Sequence, residues 1–323
     1  MSKFYSVQVL RGIAACGVVV LHERFLGGGP VDHSMARLGG AGVDLFFVIS
    51  GFIMATIAKP SPGQFLFDRF WRIFPLWLLA VLPWLALQPV LTPPIVLASV
   101  TLWPVYDQFT VPALGLGWTL SFEMLFYVAI ALGMRTRPAL PLALFAVALV
   151  GGALTHAPLF DFLGNPMICE FLFGVLIAQL PRSESAALPL LIVAAIGFAA
   201  APLTVFSKEM AFDAAVSGWR TAFWGVPAAL LVYGCLCAER MFAHRWIKPL
   251  VRIGDASYSI YLFHRLTGFI EAPWPLKVLA GVALGLVIHL LVERPILRLK
   301  PRRAARTDPG APPAAAPAVR IPT

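Results

Sequence analysis

Charge is scarce in this chain. Only 13% of its 323 residues are Asp, Glu, Lys or Arg, against 59% hydrophobic residues, and the mean hydropathy is +0.82. A soluble domain carries about a quarter charged residues. The two soluble domains that the length alone would allow are therefore excluded. Short strands of alternating polarity are missing, which excludes a transmembrane β-barrel. Cysteine is rare too. Cys16, Cys169, Cys235 and Cys237 all lie in apolar stretches, where cysteine behaves as a small hydrophobe and not as a disulfide framework. Cys235 and Cys237, two apart on a helix, point to different faces and lack zinc-site spacing. No period of about 20 to 50 residues recurs, so the chain is not a repeat array. The first apolar stretch contains Arg11 and no small-residue cleavage site follows it, so it does not read as a removable signal peptide. The run Gly27-Gly28-Gly29 has no strand before it and no lysine after it, which makes it an outer turn and not a phosphate loop. A Ser-His-Asp elbow and the basic-aromatic pattern of a nucleic-acid binder are also absent.

What is present is a series of apolar blocks of the length that a helix needs to cross a hydrocarbon core about 30 Å thick. Ten are read, over 7–26, 41–58, 70–91, 118–134, 139–154, 163–180, 188–206, 220–237, 254–272 and 276–292. The fold class is an all-α polytopic membrane protein with about ten transmembrane helices. The segment 95–105 is too short to span and is flanked by proline. It reads as an interfacial or re-entrant piece. With the N-terminus inside, eighteen of the 25 Lys and Arg residues fall on the inner side and four (Arg24, Arg37, Lys208, Arg220) on the outer side. Basic loops resist translocation, so both termini are cytoplasmic. Residues 1–300 form the transmembrane domain. Residues 301–323, rich in Pro, Ala and Arg, form a disordered cytoplasmic tail.

Ionisable groups inside membrane spans are costly and mark function by default. Arg11 and His22 are eleven residues apart, which puts them on one helix face about 16 Å apart along the axis. Span direction sets the depth of the others. Asp44 lies near the outer end of the second span, Arg69 and Arg72 at the inner end of the third. Trp118, Ser121 and Glu123 lie in the outer half of the fourth. Two groups are expected: an inner basic group of Arg11, Arg69 and Arg72, and an outer group of His22, Asp44 and Glu123. Arginine binds phosphate as a bidentate fork. The inner group therefore suits the phosphates of acyl-CoA, whose long pantetheine arm would carry the thioester toward His22. Histidine beside a carboxylate can take the proton of a sugar hydroxyl, or can itself be acylated first. Both routes are open.

Five segments carry a resemblance. They are SVQVLRGIAACGVVVLHERF, with a basic residue, ten residues and then histidine; GGAGVDLFFVISGFIM; FLFDRFWRIFPLW; GWTLSFEMLFY; and IGDASYSIYLFH, followed by a late ERP. In this order and spacing, up to about Pro295, the chain resembles the acyltransferase-3 family of membrane acyltransferases, in its short type that decorates bacterial exopolysaccharide. The resemblance implies transfer of acetyl, or sometimes succinyl, from CoA to a carbohydrate hydroxyl at the bacterial inner membrane. It implies that His22 is catalytic and that Arg11, Arg69 and Arg72 serve donor binding or activity. Longer relatives carry an additional periplasmic hydrolase-like domain, which this chain is expected to lack. The third-span motif often has adjacent arginines where this chain reads Asp68-Arg69-Phe70-Trp71-Arg72.

The catalytic candidates are thus His22, Glu123 and Asp44, with Asp44 open as well to a structural partnership with His22 or an arginine, and with Trp118, Ser121, Tyr258 and His264 on the acceptor side. No permanently bound cofactor and no metal are expected. The partners are acyl-CoA, a glycan or lipid-linked oligosaccharide, the bilayer and polysaccharide synthesis machinery, with no nucleic acid. His289 and Glu293, four apart on one helix, face each other and with Arg294 tie that helix to the inner surface. His33, His156 and His244 read as inert loop residues. A glycan transporter or flippase is the competing reading, although no inverted repeat is seen. A non-catalytic partner of a synthesis complex is the third.

Overall fold

The computed structural model describes residues 4–26, 38–57, 61–106, 108–136, 138–201 and 214–301. Gly27-Gly28-Gly29, His33, Arg37, Lys208 and the tail beyond 301 lie outside the described residues. Most of the described residues are helical, and no strand occurs among them beyond an isolated bridge between Val105 and Phe109.

The helices are α1 (Tyr5–Leu26), α2 (Ala41–Thr56), α3 (Pro62–Ala86), α4 (Pro93–Thr101), α5 (Gly117–Arg135), α6 (Ala139–Thr155), α7 (Pro158–Leu163), α8 (Ile168–Ile177) and α9 (Glu184–Ala200). Then come α10 (Ala214–Arg220) and α11 (Val226–Cys237), joined by a wide π turn over Thr221–Gly225. The rest are α12 (Glu239–Phe242), α13 (Lys248–Asp255), α14 (Ser257–Phe263), α15 (Trp274–Ile288) and α16 (Arg294–Arg298). A 3-10 turn, His264–Phe269, follows α14, and a second π turn, His289–Glu293, joins α15 to α16.

Among the described residues, five helical stretches are long and apolar enough to cross a membrane: Tyr5–Arg24, Gly117–Arg135, Pro158–Ile177, Ser217–Cys237 and Trp274–Arg298. Shorter apolar helices are Ala41–Thr56, Ala139–Thr155 and Glu184–Ala200. Their outward faces carry bare leucine, isoleucine and valine, such as Leu154, Val150, Ile196, Leu279 and Leu291. A soluble monomer does not expose that much apolar surface, and the protein is a multi-pass membrane protein.

Two of the expected spans are not single helices. The 163–180 block breaks between α7 and α8 at Gly164-Asn165-Pro166-Met167, where proline cannot donate to the helix ladder. The 254–272 block ends as an α-helix at Phe263. There both the backbone N–H and the ring Nδ1 of His264 reach the carbonyl of Ile260, and this side-chain competition accompanies the tightening to a 3-10 turn. The short piece expected at 95–105 is α4, with Thr92 before two prolines at its start. It ends at Leu102 in the left-handed region (φ 59°).

Helix α1 lies at the centre and touches α2, α13, α14 and α15. It lacks an acidic residue in its own first turn. Glu239 supplies one from far along the chain: it accepts from Tyr5 N–H at 2.5 Å, from Ser6 N–H at 3.3 Å and from the Ser6 hydroxyl. Those amides have no intrahelical partner, and a carboxylate there also suits the helix dipole.

Small residues bring the backbones together, as membrane interfaces favour. A Cβ on Gly254 would lie 1.8 Å from the Gln8 carbonyl oxygen, and one on Gly51 1.9 Å from that of Phe171. The second contact, with Gly174 against Val48 O, locks α2 to α8.

Candidate active site

A cavity of about 340 Å³ opens between α1, α2, α3, α5 and α14. Its polar lining is Arg11 from α1, Ser50 from α2, Arg69 and Arg72 from α3, Thr119, Glu123 and Tyr127 from α5, and Ser257, Tyr258 and Tyr261 from α14. Val43, Phe46, Phe47, Ile53, Met54 and Leu120 supply much of the apolar wall.

The three arginines converge here because α1 presents Arg11 and α3 presents Arg69 and Arg72 to one cavity. Arg69 and Arg72, three apart, share a face of α3. Among the described residues, none of the three guanidiniums is within ion-pair distance of a carboxylate. Arg69 Nε is buried with no hydrogen-bond partner, and its guanidinium sits 5.9 Å from the Phe65 ring centroid. Three cations facing one carboxylate leave the cavity with surplus positive charge. The three side chains are half-buried, and charge drawn partly out of water without a counter-charge is costly, so this cavity favours an anionic ligand.

The one carboxylate on the wall is Glu123. The expected grouping of Glu123 with His22 is corrected here: Glu123 shares the cavity of Arg11, Arg69 and Arg72. Its Oε1 accepts from Ser50 Oγ at 3.0 Å and from the hydroxyl of Tyr127, one helical turn on. Span direction alone did not bring it to these arginines, because it says nothing of the angular position around the helix.

Asp44 also leaves the expected outer group. It is fully buried and bound by Arg220, with Nε to Oδ1 at 3.1 Å and Nη2 to Oδ2 at 2.7 Å. Arg220 further donates to Gly40 O at 3.0 Å and lies over the Trp224 ring at 4.9 Å. Buried Glu170 accepts from Thr221 Oγ1 beside this pair.

His22 meets His264. The His22 Nδ1 and His264 Nε2 are 3.0 Å apart, and the rings are 5.1 Å between centroids and inclined 26°. His264 is fully buried, and its Nδ1 is 3.1 Å from the Ile260 carbonyl oxygen. The Tyr261 ring, 6.4 Å from His264, belongs to the cavity wall, and its hydroxyl is held by Thr119 Oγ1 at 2.8 Å. The arginine cavity and the histidine pair thus share a wall.

Of the other acceptor-side candidates, Tyr258 lies on the cavity wall and donates to Ile73 O at 2.9 Å. Trp118 packs edge-on against Phe47 and Phe122. Ser121 is buried and bonds back to Gly117 O at 3.2 Å. Neither joins His264. The His289–Glu293 pair is buried. Glu293 accepts from His289 Nδ1 and from Ser259 Oγ, both at 2.7 Å, and Arg294 Nε donates to His289 Nε2.

Sequence reasoning missed Tyr127, Ser50, Thr119 and Arg220. The four-residue spacing from Glu123 to Tyr127 was available as a signal. The other three reach Glu123, Tyr261 and Asp44 across helices. The last turn of the described chain also braces the arginine helix: Lys300 Nζ pairs with Asp68 Oδ1 at 2.6 Å, and Trp71 Nε1 donates to Ile296 O at 3.0 Å.

Residues 4–294 match a family model described as an acyltransferase domain. The chain is 33% identical to the exopolysaccharide production protein ExoZ of Rhizobium meliloti (strain 1021), over 81% of this chain and 90% of that protein. It is 26% identical to the acyltransferase MdmB of Streptomyces mycarofaciens, over 94% of this chain and 95% of that protein. No solved structure matches.

Proposed function

The chain belongs to the acyltransferase-3 family, and from that membership we propose that it is an O-acyltransferase moving acetyl from acetyl-CoA onto a sugar hydroxyl of an exopolysaccharide. The Rhizobium relative is an exopolysaccharide production protein, which supports the glycan class. Membership also sets aside the transporter reading. The observation that carries the proposal is the cavity itself. Three guanidiniums without carboxylate partners suit the phosphates of CoA, and one wall, through Tyr261, continues to the His264–His22 pair.

In this reading Arg11, Arg69 and Arg72 hold the donor by charge-assisted hydrogen bonds. The pantetheine arm runs outward along α1, over the roughly 16 Å that separates Arg11 from His22. His22 acts as general base on the acceptor hydroxyl. Glu123, held by Ser50 and Tyr127, keeps the donor phosphates away from its own position by like charge. Asp44 serves the fold through Arg220 and does not act in the chemistry. Trp118 and Ser121 are packing groups. The protein takes ten spans in the bacterial inner membrane with both ends cytoplasmic, which places the arginines at the side where acyl-CoA is made. Its acceptor is a growing or lipid-linked glycan presented by the synthesis machinery.

The test is mass spectrometry of surface glycans from a deletion strain, complemented by wild type or by His22→Ala. Wild type is expected to restore the acyl mark. The variant is expected to insert normally and leave the glycan bare. A fully acylated glycan in the His22→Ala strain would remove His22 from the chemistry.

A further inference from the structure

Two hydrogen bonds at the end of α14 determine where the protons of the histidine pair lie. The oxygen of Ile260 is a carbonyl and only accepts, so the His264 Nδ1 at 3.1 Å carries the hydrogen. The neutral ring of His264 then presents Nε2 as a lone pair. His22 Nδ1 lies 3.0 Å from that nitrogen, so His22 Nδ1 is the donor of the second bond. In neutral His22 this leaves Nε2 without hydrogen, as the nitrogen that accepts a proton. The small angle between the rings, 26°, suits an N–H···N bond lying near both ring planes.

We propose that His264 is a positioning residue that sets the tautomer and ring orientation of His22. The proposal rests on reading His22 as the base of acyl transfer. The sequence of events balances without any further reactant. The acceptor hydroxyl gives its proton to His22 Nε2 while its oxygen bonds to the thioester carbonyl carbon. The carbon–sulfur bond then breaks, and the proton passes from Nε2 to the departing thiolate. One alcohol and one thioester become one ester and one thiol. His264 keeps its Nδ1 hydrogen throughout. When His22 is protonated, its bond to His264 becomes charge-assisted and shortens, which stabilises the state in which charge has developed. The neutral acceptor does this without putting a second charge into the membrane.

The surrounding chain holds His264 in place. Helix α15 crosses α14 through Gly281 and Gly285, the spacing of a membrane helix-packing motif. A Cβ on Gly281 would already lie 3.2 Å from the His264 Cβ. Thr267, one turn on, donates to Glu23 Oε1 at 2.7 Å and so ties the 3-10 turn to α1 beside His22. A buried histidine serving only as packing would need neither the second ring nor this tie.

The experiment follows transfer of radiolabelled acetyl from acetyl-CoA to glycan in membrane vesicles, with kcat and KM for acetyl-CoA measured separately. His264→Ala is expected to lower kcat by about 10²- to 10⁴-fold, the usual worth of a positioned base, and to leave KM within about two-fold. The decisive pair is His264→Gln against His264→Asn. Both are neutral amides, but only glutamine reaches the place of Nε2 and offers an oxygen to His22 Nδ1–H. Glutamine is expected to exceed asparagine by at least about ten-fold in kcat. Equal kcat in the two amides, or a wild-type kcat in His264→Ala, would overturn the proposal. Transfer that survives in His22→Ala would overturn the base reading instead. An inactive His22→Ala beside a fully active His264→Ala removes the role of His264 alone.

Discussion

Asp44→Ala removes the carboxylate that neutralises Arg220, and its magnitude can be worked from the packing. The pair is bidentate, with its two bonds at 3.1 and 2.7 Å, and the side chains are 10% and 0% exposed. Leaving one member of such a pair buried alone costs about 3–5 kcal/mol. Glu170 also acts on this pair and can take up part of the charge, so the expected loss sits at the lower end, about 3 kcal/mol. The double variant Asp44→Asn with Arg220→Gln removes both charges and keeps similar volume. It is expected to recover most of the loss, because neutral replacement of a buried ion pair is close to neutral in free energy. The coupling energy in the cycle should exceed about 1 kcal/mol. The assay is thermal unfolding of detergent-purified protein, paired with acetyl transfer per folded molecule. A variant Asp44→Asn with the melting temperature of wild type and no turnover would refute the reasoning and return Asp44 to the chemistry.

Three further outcomes are expected. Arg72→Ala and Arg11→Ala should each raise KM for acyl-CoA by about 10- to 100-fold, the loss of one charged hydrogen bond, measured in initial rates on vesicles. Gly285→Ala would place a Cβ 2.4 Å from the Ile260 Cα, against backbone that has little room to yield. It should cost about 1–3 kcal/mol and more turnover than Gly281→Ala, read by melting temperature and initial rate. Glu239→Ala strips the start of α1 of its acceptor and should cost about 1 kcal/mol, with KM for acyl-CoA unchanged.

Helix boundaries and the identity of the polar residues were legible because both are local. The apolar block 118–134 became Gly117–Arg135, and 139–154 became Ala139–Thr155. Depth and angular position were not legible. Glu123, expected in the outer half of its span, lines one cavity with Arg11, Arg69 and Arg72, expected at the inner side. Asp44 and Glu123 were assigned to His22 by depth alone, yet Asp44 turns to Arg220 on α10 and Glu123 turns to the arginine cavity. That choice depends on close helix crossings at glycine, such as Gly51 against Phe171, which no single segment encodes. The break at His264 was equally hidden, because it involves a ring nitrogen reaching its own helix carbonyl. The break at Pro166 could have been read from the proline.

The tie between Lys300 and Asp68 has a practical consequence for anyone handling this protein. Whatever is attached after that lysine departs beside the helix that presents Arg69 and Arg72. A bulky fusion grafted there would crowd the approach of a nucleotide-sized molecule while leaving membrane insertion intact. Reporter and purification modules belong elsewhere, and a low activity measured with such a fusion would say more about the graft than about the enzyme.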